Sequence, residues 1–375
     1  MFLKKDKKNL HSLFNVFAVF GLAITALWWG ANTSTINAQV VRGTLNDFSG
    51  EGRTDFTTLV FNENANITWN IVVNPVNPLP NQGIIRRFNF GLAGDLTTGE
   101  GSDVIVPRDY VGDRKTEIAV YRDTNSVYYL AQFPAAPNTG ITLDRAVPFG
   151  NGATDNPGAD GDYDADGKDD YTLVRVVGGT LNWLILSSGT NTFKQIPFGT
   201  FFGRTGTTFN RTAIFQGADF TGDGRDELIV VNNSTSDGRV NYYIGDSNTG
   251  AGVITKSFGD FQDDFSVTPA DYTGDGRADF VAVRETQGAA AIWYINNSVT
   301  NVTTGTAFGV ANPDFDFQVD DVPVRGDYDG DRRHDIAVYR NSNRTFYYIS
   351  SLNGSFQGQE AGNQDEFPLG AFGLY

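Results

Sequence analysis

Short apolar runs of four to seven residues, many of them β-branched or aromatic, alternate along the chain with clusters of Gly, Asn and Asp. Such runs fit half-buried strands, and no stretch after residue 40 keeps the 3.6-residue period of an amphipathic helix. One stretch shows the full pattern. Phe265–Pro269 reads as a strand, an Asp-rich turn follows, Phe280–Arg284 and Ile292–Asn296 read as a second and third strand, and Thr304–Phe308 as a fourth that ends in Phe-Gly. The third strand recurs with aromatic content at Ile67–Val72, Val127–Leu130, Leu181–Leu186, Val240–Ile244 and Thr345–Ile349. Phe-Gly recurs at Phe90, Phe149, Phe198 and Phe258. Rings at one register of every unit suit packing between stacked sheets.

The turn between the first two strands recurs six times, beginning at Asp47, Asp109, Asp162, Asp219, Asp271 and Asp327, at spacings of 62, 53, 57, 52 and 56 residues. The copy at Asp271 reads DYTGDGRADFVAVR. One four-stranded sheet of this length cannot bury both faces, so radial repetition into a propeller is expected. The predicted fold is all-β, with about six four-stranded blades over residues 39–375 as one domain. Phe367-Pro368-Leu369-Gly370 echoes Val322-Pro323-Val324-Arg325 and is expected to supply an extra first strand that closes the ring. Seven blades are the alternative, but a seventh needs three further strands for which no segment is found.

Composition sharpens this picture. The formal net charge is −16, and nearly half of the 44 acidic residues sit in the six turns. A chain of this sign excludes nucleic acid as an expected partner and favours divalent cations. There is no Cys, so neither disulfides nor thiol-linked lipid contribute. Residues 1–38 carry a Lys-rich start, an apolar stretch over Leu13–Trp29 and a small residue, Ala38, at the expected cut. This predicts a signal peptide, or alternatively an uncleaved membrane anchor. Either places the repeats outside the cytoplasm: secreted, periplasmic or on the cell surface. The membrane is a partner only if the segment is retained.

The DxDGDGxxD turn followed by an IAVYR-type strand, with Phe-Gly closing the unit, resembles the FG-GAP/VCBS repeats of integrin α-chain propellers and of many exported bacterial proteins. The resemblance covers essentially all of the chain after residue 38. It implies a calcium-binding propeller and says little about activity. Oxygen donors at positions 1, 3, 5 and 9 of each turn, with the carbonyl of position 7, suit Ca²⁺. They are Asp162, Asp164, Asp166, Lys168 and Asp170 in loop three; Asp219, Thr221, Asp223, Arg225 and Glu227 in loop four; Asp271, Thr273, Asp275, Arg277 and Asp279 in loop five; and Asp327, Asp329, Asp331, Arg333 and Asp335 in loop six. Loop one offers Asp47, Ser49, Glu51 and Asp55, a departure that leaves its metal uncertain. Loop two, Asp109–Glu117, has Val111 at position 3 and Arg114 where Gly is usual, so a weak or empty site is expected there. Four to five calcium sites result.

Other motifs carry less. Arg325-Gly326-Asp327 is an RGD tripeptide whose Asp is already the first ligand of loop six. His334, expected as a solvated loop residue, is no evident catalytic base. If successive strands alternate in direction, the turns and the third-to-fourth connections share one face, and the longer irregular insertions share the other. Recognition usually lives on such loops. The expected function is therefore a non-enzymatic binding or adhesion module for a carbohydrate or protein ligand on the face opposite the calcium loops. An exported polysaccharide-acting enzyme and a structural surface or matrix component are the alternatives.

Overall fold

The computed structural model describes residues 42–74, 85–95, 101–134, 140–201, 211–234, 238–260, 264–285, 289–310, 321–363 and 366–370. The expected leader at residues 1–38 lies outside them, as do parts of the irregular insertions, 202–210 and 311–320 among them. Among the described residues no helix is long and apolar enough to cross a membrane.

Six antiparallel four-stranded sheets form the blades of a propeller. Blade two comprises Val104–Ile105, Ile118–Arg122, Val127–Ala131 and Leu143–Pro148; blade three, Asp155–Pro157, Tyr171–Val177, Thr180–Leu186 and Phe193–Thr200. Blade four comprises Arg211–Ala218, Glu227–Ser234, Arg239–Gly245 and Gly252–Asp260; blade five, Asp264–Ala270, Asp279–Arg284, Ala290–Asn296 and Thr303–Val310. Blade six is Asp321–Val324, Ile336–Arg340, Thr345–Ile349 and Phe356–Glu360. Blade one joins Phe56–Phe61, Asn66–Val72 and Ile85–Leu92 to Phe367–Pro368 from the far end of the chain. The expected tail strand is thus real: Leu59 pairs with Phe367, Thr58 with Pro368, and Leu369 N–H donates to Thr57 C=O at 2.8 Å.

The core lies between blades. Phe56 and Val72 of blade one pack with Tyr328, Ala337, Tyr339 and Phe346 of blade six, and Val338 of blade six packs with Val281, Val283 and Trp293 of blade five. The third-strand rings Trp69, Tyr128, Trp183, Tyr242, Trp293 and Phe346 are all buried, as expected for core aromatics.

The Phe-Gly signature has a mechanical reason. In blades one, three, four and five the pairing of the third and fourth strands shifts register at that dipeptide, which forms a β-bulge. Gly91, Gly199, Gly259 and Gly309 sit there at φ of 91–98°, a region that side chains with a Cβ resist. The bulge aims the Phe carbonyl at the indole of blades one, three and five: Trp69, Trp183 and Trp293 Nε1 donate to the carbonyls of Phe90, Phe198 and Phe308 at 2.9, 3.1 and 3.2 Å. It also turns the next N–H toward the following blade. Leu92, Asp260 and Val310 donate to the carboxylates of Asp103, Asp264 and Asp321 at 2.8, 2.8 and 2.7 Å, and Asn151, after Phe149-Gly150, donates to Asp155 at 2.7 Å.

Each of these buried aspartate side chains is gripped by an Arg at or within two residues of the end of the second strand of its own blade: Arg122, Arg175, Arg284 and Arg340, through two nitrogens at 2.5–2.9 Å. The terminal Arg of the IAVYR-type strand is therefore an inter-blade lock. Replacing Asp321 by Ala strands a guanidinium and the Val310 N–H together. We expect a loss of about 2 kcal/mol or more in urea-unfolding stability; an unchanged midpoint would remove the lock from the account.

Candidate metal centres

All six turns share one hydrogen-bonded frame. The carboxylate at position 9 accepts the N–H of position 2: Phe48 donates to Asp55, Tyr110 to Glu117, Tyr163 to Asp170, Phe220 to Glu227, Tyr272 to Asp279 and Tyr328 to Asp335, at 2.6–3.1 Å. The carboxylate at position 1 accepts two N–H groups from the tip. In loop five these are Gly274 at 2.5 Å and Gly276 at 2.8 Å. Loops two and six place Arg114 (φ 67°) and Arg332 (φ 74°) where Gly is usual, and both adopt the left-handed backbone, held by bonds to Asp109 and Asp327 at 2.8 and 2.7 Å. The position-2 ring is buried in every loop and plugs the turn into the inter-blade core.

A second set of bonds joins the loops into a ring. The N–H of position 8 donates to the carbonyl of position 1 in the preceding loop: Thr54 to Asp327, Thr116 to Asp47, Asp169 to Asp109, Asp226 to Asp162, Ala278 to Asp219 and His334 to Asp271, all at 2.7–2.9 Å. The circuit closes from blade one to blade six. Position 1 is thus both the first predicted ligand and the acceptor for its neighbour.

The carboxylates converge in four loops. Asp162, Asp164 and Asp170 come together in loop three, and Asp327, Asp329 and Asp335 in loop six, with one oxygen of each within 4.8 Å of the others. Loop four gathers Asp219, Asp223 and Glu227, and loop two gathers Asp109, Asp113 and Glu117 to the same limit. The third carboxylate comes from position 3 where that residue is Asp and from position 5 where it is not. Val111 therefore costs loop two its position-3 oxygen, yet Asp113 takes the place, just as Asp223 does beside Thr221. In loop six the displaced Asp331 instead binds Arg333 Nε at 2.8 Å, and in loop three Asp166 accepts the Lys168 N–H at 2.9 Å.

Loops one and five are arranged differently. Ser49 Oγ donates to Asp55 at 3.1 Å and also bonds Glu51. In loop five Asn297 Nδ2, from the third-to-fourth connection, lies 2.6 Å from Asp275 and 2.7 Å from Thr273 Oγ1. The N–H groups of Lys168, Arg225, Arg277 and Arg333 are used by the position-5 aspartates at 2.9–3.0 Å, while their carbonyls were the atoms expected as ligands. The third-to-fourth connections reach the same face, as expected: Ser188 N–H donates to Asp170 at 3.0 Å and Ser351 N–H to Asp335 at 2.7 Å.

The donor set fits a hard cation. All side-chain donors are oxygens. Burial, with repulsion among neighbouring acids, pushes Glu117 and Asp170 up to about 9, Glu227 and Asp327 to about 8, and Asp279 and Asp335 to about 7. Buried oxygens Glu117 Oε1 and Asp164 Oδ1 have no hydrogen-bond partner. Carboxylates crowded in this way gain most from a cation with several open coordination positions.

The axis inside the ring holds residues that the sequence reading undervalued. His334 is not solvated: position 8 points inward, leaving the ring buried 5.5 Å from Tyr272, and burial together with Arg325 lowers its pKa to about 3. Arg325 and Asp327 are also buried, which removes the RGD tripeptide from any docking surface. Arg42 reaches Asp226 at 2.6 Å and Asp162 at 3.2 Å. Asp160 and Asp169, pushed upward by burial, face Arg108. Arg108, Asp160 and Arg325 lie just before the turn, and His334, Asp169 and Asp226 hold its unspecified eighth position, so only their fixed offset from the first Asp could have marked them.

The FG-GAP-like repeat family matches residues 219–282, from the first acid of loop four to the second strand of blade five. The same hydrogen-bonded frame recurs in all six turns. This match and the six-bladed ring together support an FG-GAP/VCBS-type propeller. Among solved structures, a functionally unknown protein from Desulfotomaculum acetoxidans is similar at 11% identity over 85% of this chain and 100% of that one, with a TM-score of 0.41. The Dos1 propeller is similar at 10% identity over 86% and 76%, with a TM-score of 0.35. No curated protein matches the chain.

On the face of this FG-GAP-type propeller opposite the loops, a cleft of about 450 Å³ opens between blades four and five, bordered by Arg239, Phe258, Asp260, Asp264, Arg284 and Tyr294. Two outcomes are expected at the loops. Excess chelator should lower the melting temperature of the full chain by many degrees relative to calcium buffer, and superimposable melts would remove metal from the account of stability. In the metal-free chain, carboxylates raised above their unfolded range bind extra protons in the folded state between about pH 4 and pH 9. Chelated protein should therefore lose stability as pH rises through that window. Calcium should flatten or reverse the slope, because the ion needs the deprotonated ligands.

Proposed function

We propose that this chain is an exported, calcium-stabilised propeller acting as a non-enzymatic binding or adhesion module for a carbohydrate or protein ligand on the face opposite the calcium loops. The observation that carries this reading is the division between the two faces. On one, every loop repeats the same backbone frame and ring, and the acids that converge there are the candidate metal ligands. On the other, the connections differ from blade to blade and a polar cleft opens. Rigid scaffolds of this kind present recognition on their variable loops.

A further feature supports it. The raised acids outside the loop ligands, Asp160 and Asp169, are enclosed on the axis against Arg108 and do not line the cleft.

The test presents the full chain, in calcium buffer, to immobilised glycans and extracellular proteins while light scattering follows its mass. Saturable, calcium-dependent binding by a monomer is expected. Reversible self-assembly with no ligand bound would instead make it a structural surface component.

A further inference from the structure

The repeat is its own control, because one register can be compared in every blade. The lock occupies the same register wherever it occurs: Asp155 pairs with Arg175, Asp264 with Arg284 and Asp321 with Arg340, while Asp103 and Arg122 adjoin the pair Val104 and Tyr121. In blade four that register holds Thr212 and Asn232. In blade one it falls on Val60 and Glu366, which adjoin the pair Leu59 and Phe367. Glu366 is held by neutral donors instead, from Thr58, Asn70 and Asn363 at 2.5–2.8 Å. A lock clamps its own blade to the blade before it. The four locks therefore bind blades one, two and three to each other, and blades four, five and six to each other. The junctions without one, three–four and six–one, lie on a single diameter of the six-bladed ring.

The loop ends of these same two junctions hang on Asp162 and Asp327. Asp226 N–H donates to the Asp162 carbonyl at 2.8 Å across junction three–four, and Thr54 N–H to the Asp327 carbonyl at 2.7 Å across junction six–one. Asp162 and Asp327 lead loops three and six, the two turns whose acids at positions 1, 3 and 9 converge to within 4.8 Å. From this coincidence we propose that the propeller is two rigid three-blade halves meeting at two seams, and that cations held in loops three and six fasten those seams. At a locked junction the Arg–Asp pair grips one end whether or not a metal is bound. At a seam no such pair occupies that register, so fixing the position-1 residue fixes the peptide on which the facing half hangs. Withdrawing the cation leaves three crowded acids repelling one another on that same backbone. The halves then part along one diameter, and the locked junctions stay closed. Arg42, which bonds Asp226 at 2.6 Å and lies 3.2 Å from Asp162, adds a tie at seam three–four that no metal supplies. Seam six–one is therefore the more dependent on its cation.

Hydrogen exchange on the full chain, in calcium buffer and in excess chelator, reads this at six equivalent amides: Thr54, Thr116, Asp169, Asp226, Ala278 and His334. In calcium all six should be strongly protected. In chelator we expect protection factors for Thr54 and Asp226 roughly tenfold or more below those of the other four, with Thr54 the lowest. Two variants move the seams. Thr212→Asp with Asn232→Arg writes a lock into blade four and should return Asp226 to the protected class. Asp321→Ala, which adds no bulk, removes a lock and should bring His334 down to the level of Thr54. Six amides protected alike in chelator, or a locked junction that opens first, would overturn the two halves. Thr54 and Asp226 equally exposed to exchange in calcium would overturn the fastening by cations and leave the seams. A His334 amide still protected in Asp321→Ala would remove the lock as the cause. None of these readouts involves a ligand, so the binding-module reading survives any of them.

Discussion

The structure depends on a circuit of six hydrogen bonds, from the N–H of position 8 in each acid-lined turn to the carbonyl of position 1 in the turn before it. The residue whose carbonyl closes each link is the residue whose carboxylate leads the candidate metal set. Local charge and global closure therefore meet in the same six aspartates. A cation that fixes the side chain of position 1 also fixes the peptide on which the neighbouring blade hangs. Stability gained at one loop is passed to the interface beside it through one covalent residue, with no intervening side chain to slacken.

The opposite rim is held by a different chemistry. There the Phe-Gly bulge turns one N–H toward the next blade, an Asp receives it, and an Arg from the same blade neutralises that Asp. At four of the six blade junctions the loop ring and the lock grip the two ends, and aromatic residues fill the space between. The axis is less economical. Burying Arg42, Arg108 and Arg325 with Asp160, Asp169 and Asp226 carries a desolvation cost that pairing only partly offsets. Burial and Arg108 push Arg325 down to about 9.

Much of this was legible in the residues. The period, the four strands of each blade, the closing tail and the acid positions all follow from local rules, and the strand limits predicted for the fifth unit fall within two residues of those found. Local rules fail where partners come from other blades. His334 reads as a solvated loop residue because its sequence neighbours are polar, yet the ring geometry turns position 8 onto the axis. The weakness expected of loop two rests on Val111 and on Arg114; the fold shows that Asp113 lies close enough to stand in for the missing oxygen and that Arg114 adopts the left-handed backbone Gly would have taken. Conversely, loop five has the same donor types as loop four, but Asn297 from a distant connection engages Asp275.

By itself, then, the chain of amino acids determined what each repeat is: short alternating strands, an oxygen-rich turn, a bulge where only Gly is comfortable. These properties are decided within some ten residues of backbone, where sterics and side-chain chemistry act directly. Tertiary structure decided how the repeats use one another. Which acids converge, which Arg locks which blade, and where a cleft opens depend on distances between residues tens to hundreds of positions apart, and those distances exist only once the ring has closed.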